Sequence, residues 1–272
     1  MRFCTFASSS AGNAALLSCG DTHILIDAGI SCARIRGGLR ALGLGLQDLT
    51  ALFITHAHTD HISGLATMLK GCCPPIRCSE ETARQLSYRL AGVDRVLYPF
   101  ALGGTVEAGC CRVTSIPTSH DANGSTGYRF DAAGESVGYL TDTGLLPAAA
   151  RLLLGVDLLF LEANHDVETL RSGPYPYYLK ERVLGQQGHL SNDAAAQFAQ
   201  AAAIAGTQRI ILAHLSRENN TPQLALHTVG RALEAVGYAG TLQVAPRDSL
   251  AVSYTGEASA SLSEAALTPN RG

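Results

Sequence analysis

Apolar and polar positions alternate from Arg2 to Ala7, which predicts a strand; Ala14 to Ser18 and Thr22 to Ile26 predict two more, joined at Cys19-Gly20-Asp21. A continuous apolar run, Ala51 to Ile54, reads as a buried strand, and Ile62 to Leu69 as a helix with Asp60 near its N-cap. Further helices are expected from Ser31, as cap, to Leu42, and from Ser79-Glu80-Glu81 to about Leu90. Ile76 to Cys78, Val96 to Phe100, Gly104 to Glu107 and Cys111 to Pro117 read as strands. Tyr128 to Asp131 and Ser136 to Leu140 look like a hairpin around Ala132-Ala133-Gly134. Then come a helix from Pro147 to Leu154 and a buried strand from Asp157 to Leu161 that ends at Glu162. Short helical pieces follow at Val167 to Leu170 and Tyr178 to Leu184, and an Ala-rich helix runs from Ser191 to Ala205. A strand from Arg209 to Ala213, an amphipathic helix from Pro222 to Val236, and closing strands at Leu242 to Val244 and Leu250 to Tyr254 complete the pattern. Strand-rich parts, each accompanied by helices, point to an α/β fold of two facing sheets sheathed by helices.

With 272 residues the chain is long enough for one large α/β domain or two small ones. No linker divides it, so one domain is expected over 1–255, with a small, polar, disordered tail at 256–272. An apolar share of 46% is ample for a core. The lack of Trp and a 6% aromatic share argue against a stacking platform for single strands, and a net charge of −3 gives no global basic field. Neither excludes a nuclease, because two bound divalent ions would make a cleft locally positive. None of the eight Cys forms a C-x-x-C pair. Reduced, mostly buried thiols in a cytoplasmic protein are expected. No run approaches the ~18 apolar residues of a membrane span.

The chemistry concentrates in Thr55-His56-Ala57-His58-Thr59-Asp60-His61, on a turn between strand and helix. Neutral imidazole and carboxylate are the ligands that borderline divalent metals prefer. His56 and His58, two apart in an extended turn, can converge on one ion, while Asp60 and His61 point toward a second. His120, Asp142 and His214 lie at or just beyond other strand ends. Asp27 ends the third strand, where a carboxylate can hold the metal loop. His165 is left between substrate contact and a structural polar network. Lys180, Arg182 and Arg217 are left between a phosphate path and solvated helix faces, and Tyr175-Pro176-Tyr177-Tyr178 between a lid and a packed corner.

The H-x-H-x-D-H pattern resembles the metallo-β-lactamase superfamily. With Ser9-Ser10-Ala11-Gly12-Asn13, Ser119-His120-Asp121, Thr141-Asp142-Thr143-Gly144, Glu162-Ala163-Asn164-His165-Asp166, Gly188-His189-Leu190-Ser191-Asn192 and Ala213-His214-Leu215-Ser216-Arg217, the chain is similar to the YycJ/WalJ (VicX) family from about Met1 to about Tyr254. Ala14-Ala15 depart from it, standing where larger side chains are common. The resemblance implies the αββα sandwich, two facing mixed sheets flanked by helices. It implies two divalent ions (Zn, Mn or Fe), one on His56, His58 and His120, the other on Asp60, His61 and His214, with Asp142 bridging. Asp27 would support the loop. His189 resembles the non-ligand His that serves the leaving group in tRNase Z and in the cyclic phosphodiesterase of phosphonate breakdown, with Glu162 as its carboxylate. Catalytic work would then fall to Asp60, His189 and Glu162, with His165 and Arg217 near substrate.

The function implied is a binuclear phosphodiesterase acting on nucleic acid, DNA for preference, as an exonuclease that uses a metal-bridging hydroxide. Alternatives are a small-molecule cyclic phosphodiesterase, a glyoxalase II-like thioester hydrolase, or a regulatory metal-binding protein linked to cell-wall signalling. A cytoplasmic location, no membrane and a homodimer complete the expectation.

Overall fold

The computed structural model describes residues 1–254; the tail expected at 256–272 lies outside the described residues. One six-stranded sheet contains β1 (Arg2–Ser9), β2 (Gly12–Cys19), β3 (Thr22–Ile26), β4 (Ala51–Phe53), β5 (Ile76–Arg77) and β13 (Ala251–Tyr254), in the order β13-β1-β2-β3-β4-β5. The other contains β6 (Thr105–Ala108), β7 (Cys111–Pro117), β8 (Thr126–Ala132), β9 (Glu135–Leu140), β10 (Leu158–Glu162), β11 (Arg209–Ala213) and β12 (Thr241–Val244), in the order β12-β11-β10-β9-β8-β7-β6. In both, antiparallel pairs on one side pass into parallel pairs on the other, so both sheets are mixed.

Alternation sends successive side chains to opposite faces. Leu17, Ile24, Ile26 and Phe53 from the first sheet meet Tyr128, Phe130, Tyr139 and Phe160 from the second, forming a core between the sheets. Phe53 packs edge-on against Tyr128, with ring centroids 5.3 Å apart. Leu16, Leu25 and Leu52 face outward under α1 (Cys32–Ala41), α3 (Leu65–Met68) and α4 (Glu80–Arg89). Leu159, Leu161 and Leu212 do the same under α7 (Asn192–Ile204) and α8 (Pro222–Glu234). This is the expected αββα sandwich. Ser31, Ser79 and Ser191 cap their helices through side-chain oxygens that accept N–H groups three residues on. Cys4, Cys32, Cys78 and Cys111 are buried free thiols.

Three expected elements differ. The helix expected from Ile62 to Leu69 is two single turns, α2 (Thr59–Ile62) and α3, broken at Gly64. A side chain there would collide with the Ile30 carbonyl, and the Gly64 N–H instead bonds the Ala28 carbonyl at 2.8 Å. His58, not Asp60, is the N-cap of α2, and Asp60 sits within its first turn. The strand expected from Val96 to Phe100 is a 3-10 turn at Val93–Val96 followed by isolated bridges to Ile76 and Ser79. Pro147 to Leu154 is a 3-10 rather than an α-helix.

Candidate metal centre

In each sheet the parallel pairs bring the carboxyl ends of neighbouring strands to one edge. Asp27 follows β3, and Thr55–His61 follows β4. His120 follows β7, Asp142 follows β9, Glu162 ends β10, and His214 follows β11. A parallel sheet leaves a crevice for polar groups at this edge. Asp27, Asp142 and His214 have φ of 60°, 56° and 55°, three of the four non-Gly residues with positive φ among the described residues. The left-handed region costs a residue with a Cβ roughly 1–2 kcal/mol, so this strain is concentrated where the chain turns sharply to aim side chains into the crevice.

Four of the imidazoles are anchored alike. His61 Nδ1 donates to Asp27 Oδ2 at 2.8 Å, His214 Nδ1 to Glu162 Oε1 at 3.0 Å, His120 Nδ1 to the Gly188 carbonyl at 3.2 Å, and His56 Nδ1 to Thr55 Oγ1 at 3.1 Å. Fixing Nδ1 as donor leaves Nε2 with its lone pair. His56 Nε2 and His214 Nε2 are buried without a hydrogen-bond partner, as is Asp142 Oδ2. His58 is turned the other way, its Nδ1 3.3 Å from His120 Nε2.

The ligand atoms of His56, His58 and His120 lie within 4.8 Å of one another, as do those of Asp60, His61 and His214. Asp142 joins His56 and His61 in one such group and Glu162, His189 and His214 in another. Buried acceptors without donors are expensive, and these orphaned atoms belong to the two ligand types that suit a divalent metal. The residues present therefore fit metal ions.

Charge in the metal-free centre alternates. Burial would lower the His61 pKa, but Asp27 and Asp142 beside it raise it to about 9. His214 is likewise raised against its burial by Asp142, Asp60 and Glu162. Burial would raise Asp142, yet His214 and His61 hold it below the usual carboxylate range, and Asp60 and Glu162 are lowered by their histidine neighbours in the same way. His56, buried among other imidazoles, is pushed well below its ordinary value. The carboxylates around His61 and His214 therefore favour positive charge in this crevice.

The loop itself is held from both sheets. Asp27, fully buried, accepts the Thr55 N–H at 2.8 Å and the Thr55 hydroxyl at 3.0 Å, while the Tyr128 hydroxyl reaches across to the Ile54 carbonyl at 2.5 Å. Gly29 is required because any Cβ would overlap the Asp60 carbonyl. Asn13 Nδ2, 3.1 Å from His61 Nε2, is a contact that sequence reading missed, although Asn13 lay in a motif it singled out.

His189 stands beside the cluster, 23% exposed at its side chain, with Nδ1 2.8 Å from Glu162 Oε1. Glu162 does more than the sequence suggested. It accepts from His189 and His214, and its Oε2 accepts the Thr143 N–H at 2.9 Å and the Leu190 N–H at 3.2 Å. His165 is 1% exposed, has neither ring nitrogen hydrogen-bonded, and is lowered by burial to about 4. Arg217 pairs with Asp248 at 3.2 Å and Lys180 donates to the Arg171 carbonyl; neither lines the cleft beside the cluster. Arg182 does line it, paired with Asp121.

Residues 22–215 match the beta-lactamase superfamily domain. Fold and cluster together define a hydrolase of the metallo-β-lactamase class. Exodeoxyribonuclease YycJ of Bacillus anthracis is 31% identical over 240 residues, 88% of this chain and 91% of that protein. Exodeoxyribonuclease WalJ of Streptococcus pneumoniae is 37% identical over 232 residues, 84% and 86% of the two. The chain belongs to this YycJ/WalJ family. The fold is shared with the metallo-beta-lactamase fold protein YhfI from Bacillus subtilis (TM-score 0.68, 18% identity, 93% of this chain and 99% of that one). Among the described residues no helix is long and apolar enough to cross a membrane.

Proposed function

We propose that this protein is a binuclear metal-dependent phosphodiesterase that shortens DNA from an end. The observation that carries this reading is the set of Nδ1-anchored imidazoles whose Nε2 atoms, with Asp60 and Asp142, face one crevice. His56, His58 and His120 would hold one ion, Asp60, His61 and His214 the other, and Asp142 would touch both. Ions bound there would activate water and offset charge building on a phosphoryl group. Everything else is done by side chains. Glu162 fixes the His189 ring by accepting a hydrogen bond from its Nδ1–H, so Nε2 faces the departing oxygen, and the imidazolium form, which also carries a proton on Nε2, can hand that proton over. Asp27 and Glu162 hold His61 and His214 in the tautomer that puts the lone pair on Nε2. Support for DNA comes from the relatives, two of them named exodeoxyribonucleases.

The test is a panel of end-labelled duplex DNA, bis-p-nitrophenyl phosphate and S-lactoylglutathione, each offered to protein loaded with Zn, Mn or Fe. Stepwise loss of terminal nucleotides supports the reading. Turnover of the thioester with none on any phosphodiester overturns it in favour of a glyoxalase II-like hydrolase.

A further inference from the structure

A cleft of about 160 Å³ opens beside the cluster, between His120 and His189 on one side and Tyr175 and the helix α6 (Tyr177–Leu184) on the other. Its volume suits one sugar-sized group rather than a length of duplex. Leu179 and Val183 of α6 give it an apolar wall. The polar wall is built by Asn164 and Ser216, which are 3% and 7% exposed.

These two side chains are fixed by the backbone around them. Asn164 Nδ2 donates to the His214 carbonyl at 2.9 Å, and the Asn164 carbonyl accepts the Ser216 N–H at 2.8 Å. With Nδ2 so committed, Asn164 Oδ1 is left as an acceptor, and no hydrogen bond from the described residues reaches it. Ser216 Oγ accepts the Asn219 N–H at 3.2 Å and the Asn219 side-chain amide at 3.4 Å, and its own O–H proton has no acceptor among the described residues. Asn164 and Ser216 therefore offer one acceptor and one donor, the complement of a hydroxyl group, which donates once and accepts once, and the unpaired Asn219 Oδ1 is a further acceptor in the same lining.

The charge in the cleft points the same way. Apart from histidines, its lining carries one cation and one anion, Arg182 and Asp121, and they are joined by bonds of 2.8 Å from Nε and 2.6 Å from the second guanidinium nitrogen. A terminal phosphate carries a charge of about −1.5 to −2 near neutral pH. The lining itself would offer it an unpaired carbonyl oxygen and no uncommitted guanidinium or ammonium group, so the only cations near it would be the ions of the cluster, which the scissile phosphate engages. Building on the nuclease reading above, we propose that this cleft seats the terminal sugar of the strand being shortened, that Asn164 and Ser216 read its free hydroxyl, and that the enzyme therefore discriminates against phosphate-capped ends.

The test uses metal-loaded full-length protein and duplexes identical except at the terminal position, which carries a hydroxyl, a hydrogen or a phosphate, prepared for each polarity. At the end that is degraded, kcat/KM should fall roughly three- to tenfold from hydroxyl to hydrogen, the scale of a lost hydrogen bond, and further for phosphate. Ser216→Ala should bring the hydroxyl-to-hydrogen ratio toward one, whereas damage to folding would slow both substrates and leave their ratio intact. Leu179→Arg, which adds an unpaired cation to the apolar wall, should raise the rate on phosphate ends relative to hydroxyl ends. DNA degraded equally from all three ends, or faster from phosphate, overturns this proposal and leaves the nuclease reading standing. No DNA degradation at all overturns both.

Discussion

Replacing Glu162 with Gln probes the group on which both the cluster and His189 depend. The carboxylate is fully buried and accepts four N–H donors, two from imidazoles and two from backbone. A Gln amide keeps one acceptor oxygen and turns an NH₂ toward the other pair. With the NH₂ toward Thr143 and Leu190, two buried N–H groups lose their acceptor, at roughly 1–3 kcal/mol each; with it toward the imidazoles, those rings must turn to the other tautomer, which takes the lone pair away from Nε2. In the first orientation the sum, roughly 2–6 kcal/mol, is a large share of the ~5–15 kcal/mol that holds a typical domain. Metal affinity should fall as well, by about 10- to 100-fold, the usual effect of losing the group that orients a ligating imidazole. Urea unfolding of the metal-free protein measures the first quantity, and competition with a chromogenic chelator the second. A variant within about 0.5 kcal/mol of wild type, the usual range for an inconsequential change, and with unaltered metal affinity would refute the role given to Glu162.

His189→Ala should behave differently, because His189 touches Glu162 without completing either proposed ligand set: metal content stays, while the rate on DNA falls roughly 10²- to 10⁴-fold and less on a p-nitrophenyl ester, whose leaving group needs little protonation. Loss of an ion in that variant would make His189 a ligand. The pH dependence of metal uptake should follow His61, whose pKa is raised from 6.5 to about 9. Its contribution to metal-free stability is complete below about 6.5 and is lost as pH rises through about 9, while those of Asp60, Asp142 and Glu162 hold above about pH 4 and are lost as pH falls through their depressed values. A ligating imidazole must be unprotonated, so uptake near neutral pH should release protons to an indicator dye and apparent affinity should climb as pH rises through about 9; flat affinity with no proton release would contradict this.

Much of the centre could be read in the chain because its residues are clustered or sit at strand ends that hydrophobic runs mark clearly. Asp27, the Thr55–His61 loop, His120, Asp142, Glu162, His189 and His214 all converge in the structure. What stayed hidden depends on tertiary geometry. Glu162 supports His214 as well as His189 because β10 and β11 are parallel neighbours with Glu162 in register with Ala213, which places His214 one residue beyond it. Nothing in local sequence reports that pairing. Arg217 lies close to His214 in the chain, yet it is drawn to Asp248 rather than to the cleft. The break at Gly64 arises from close approach to the chain at Ala28 and Ile30, again a contact distant in sequence. Val96 to Phe100 has strand composition but makes only isolated bridges, so pattern alone overstated it.

The most direct test is elemental analysis of the purified, catalytically active protein beside His58→Ala. About two divalent ions per chain in the wild type, with fewer ions and no DNA hydrolysis in a folded His58→Ala protein, is the predicted result. Active wild-type protein that carries no metal, or a His58→Ala variant as active as its parent, would contradict the assignment of this crevice as a binuclear hydrolytic centre.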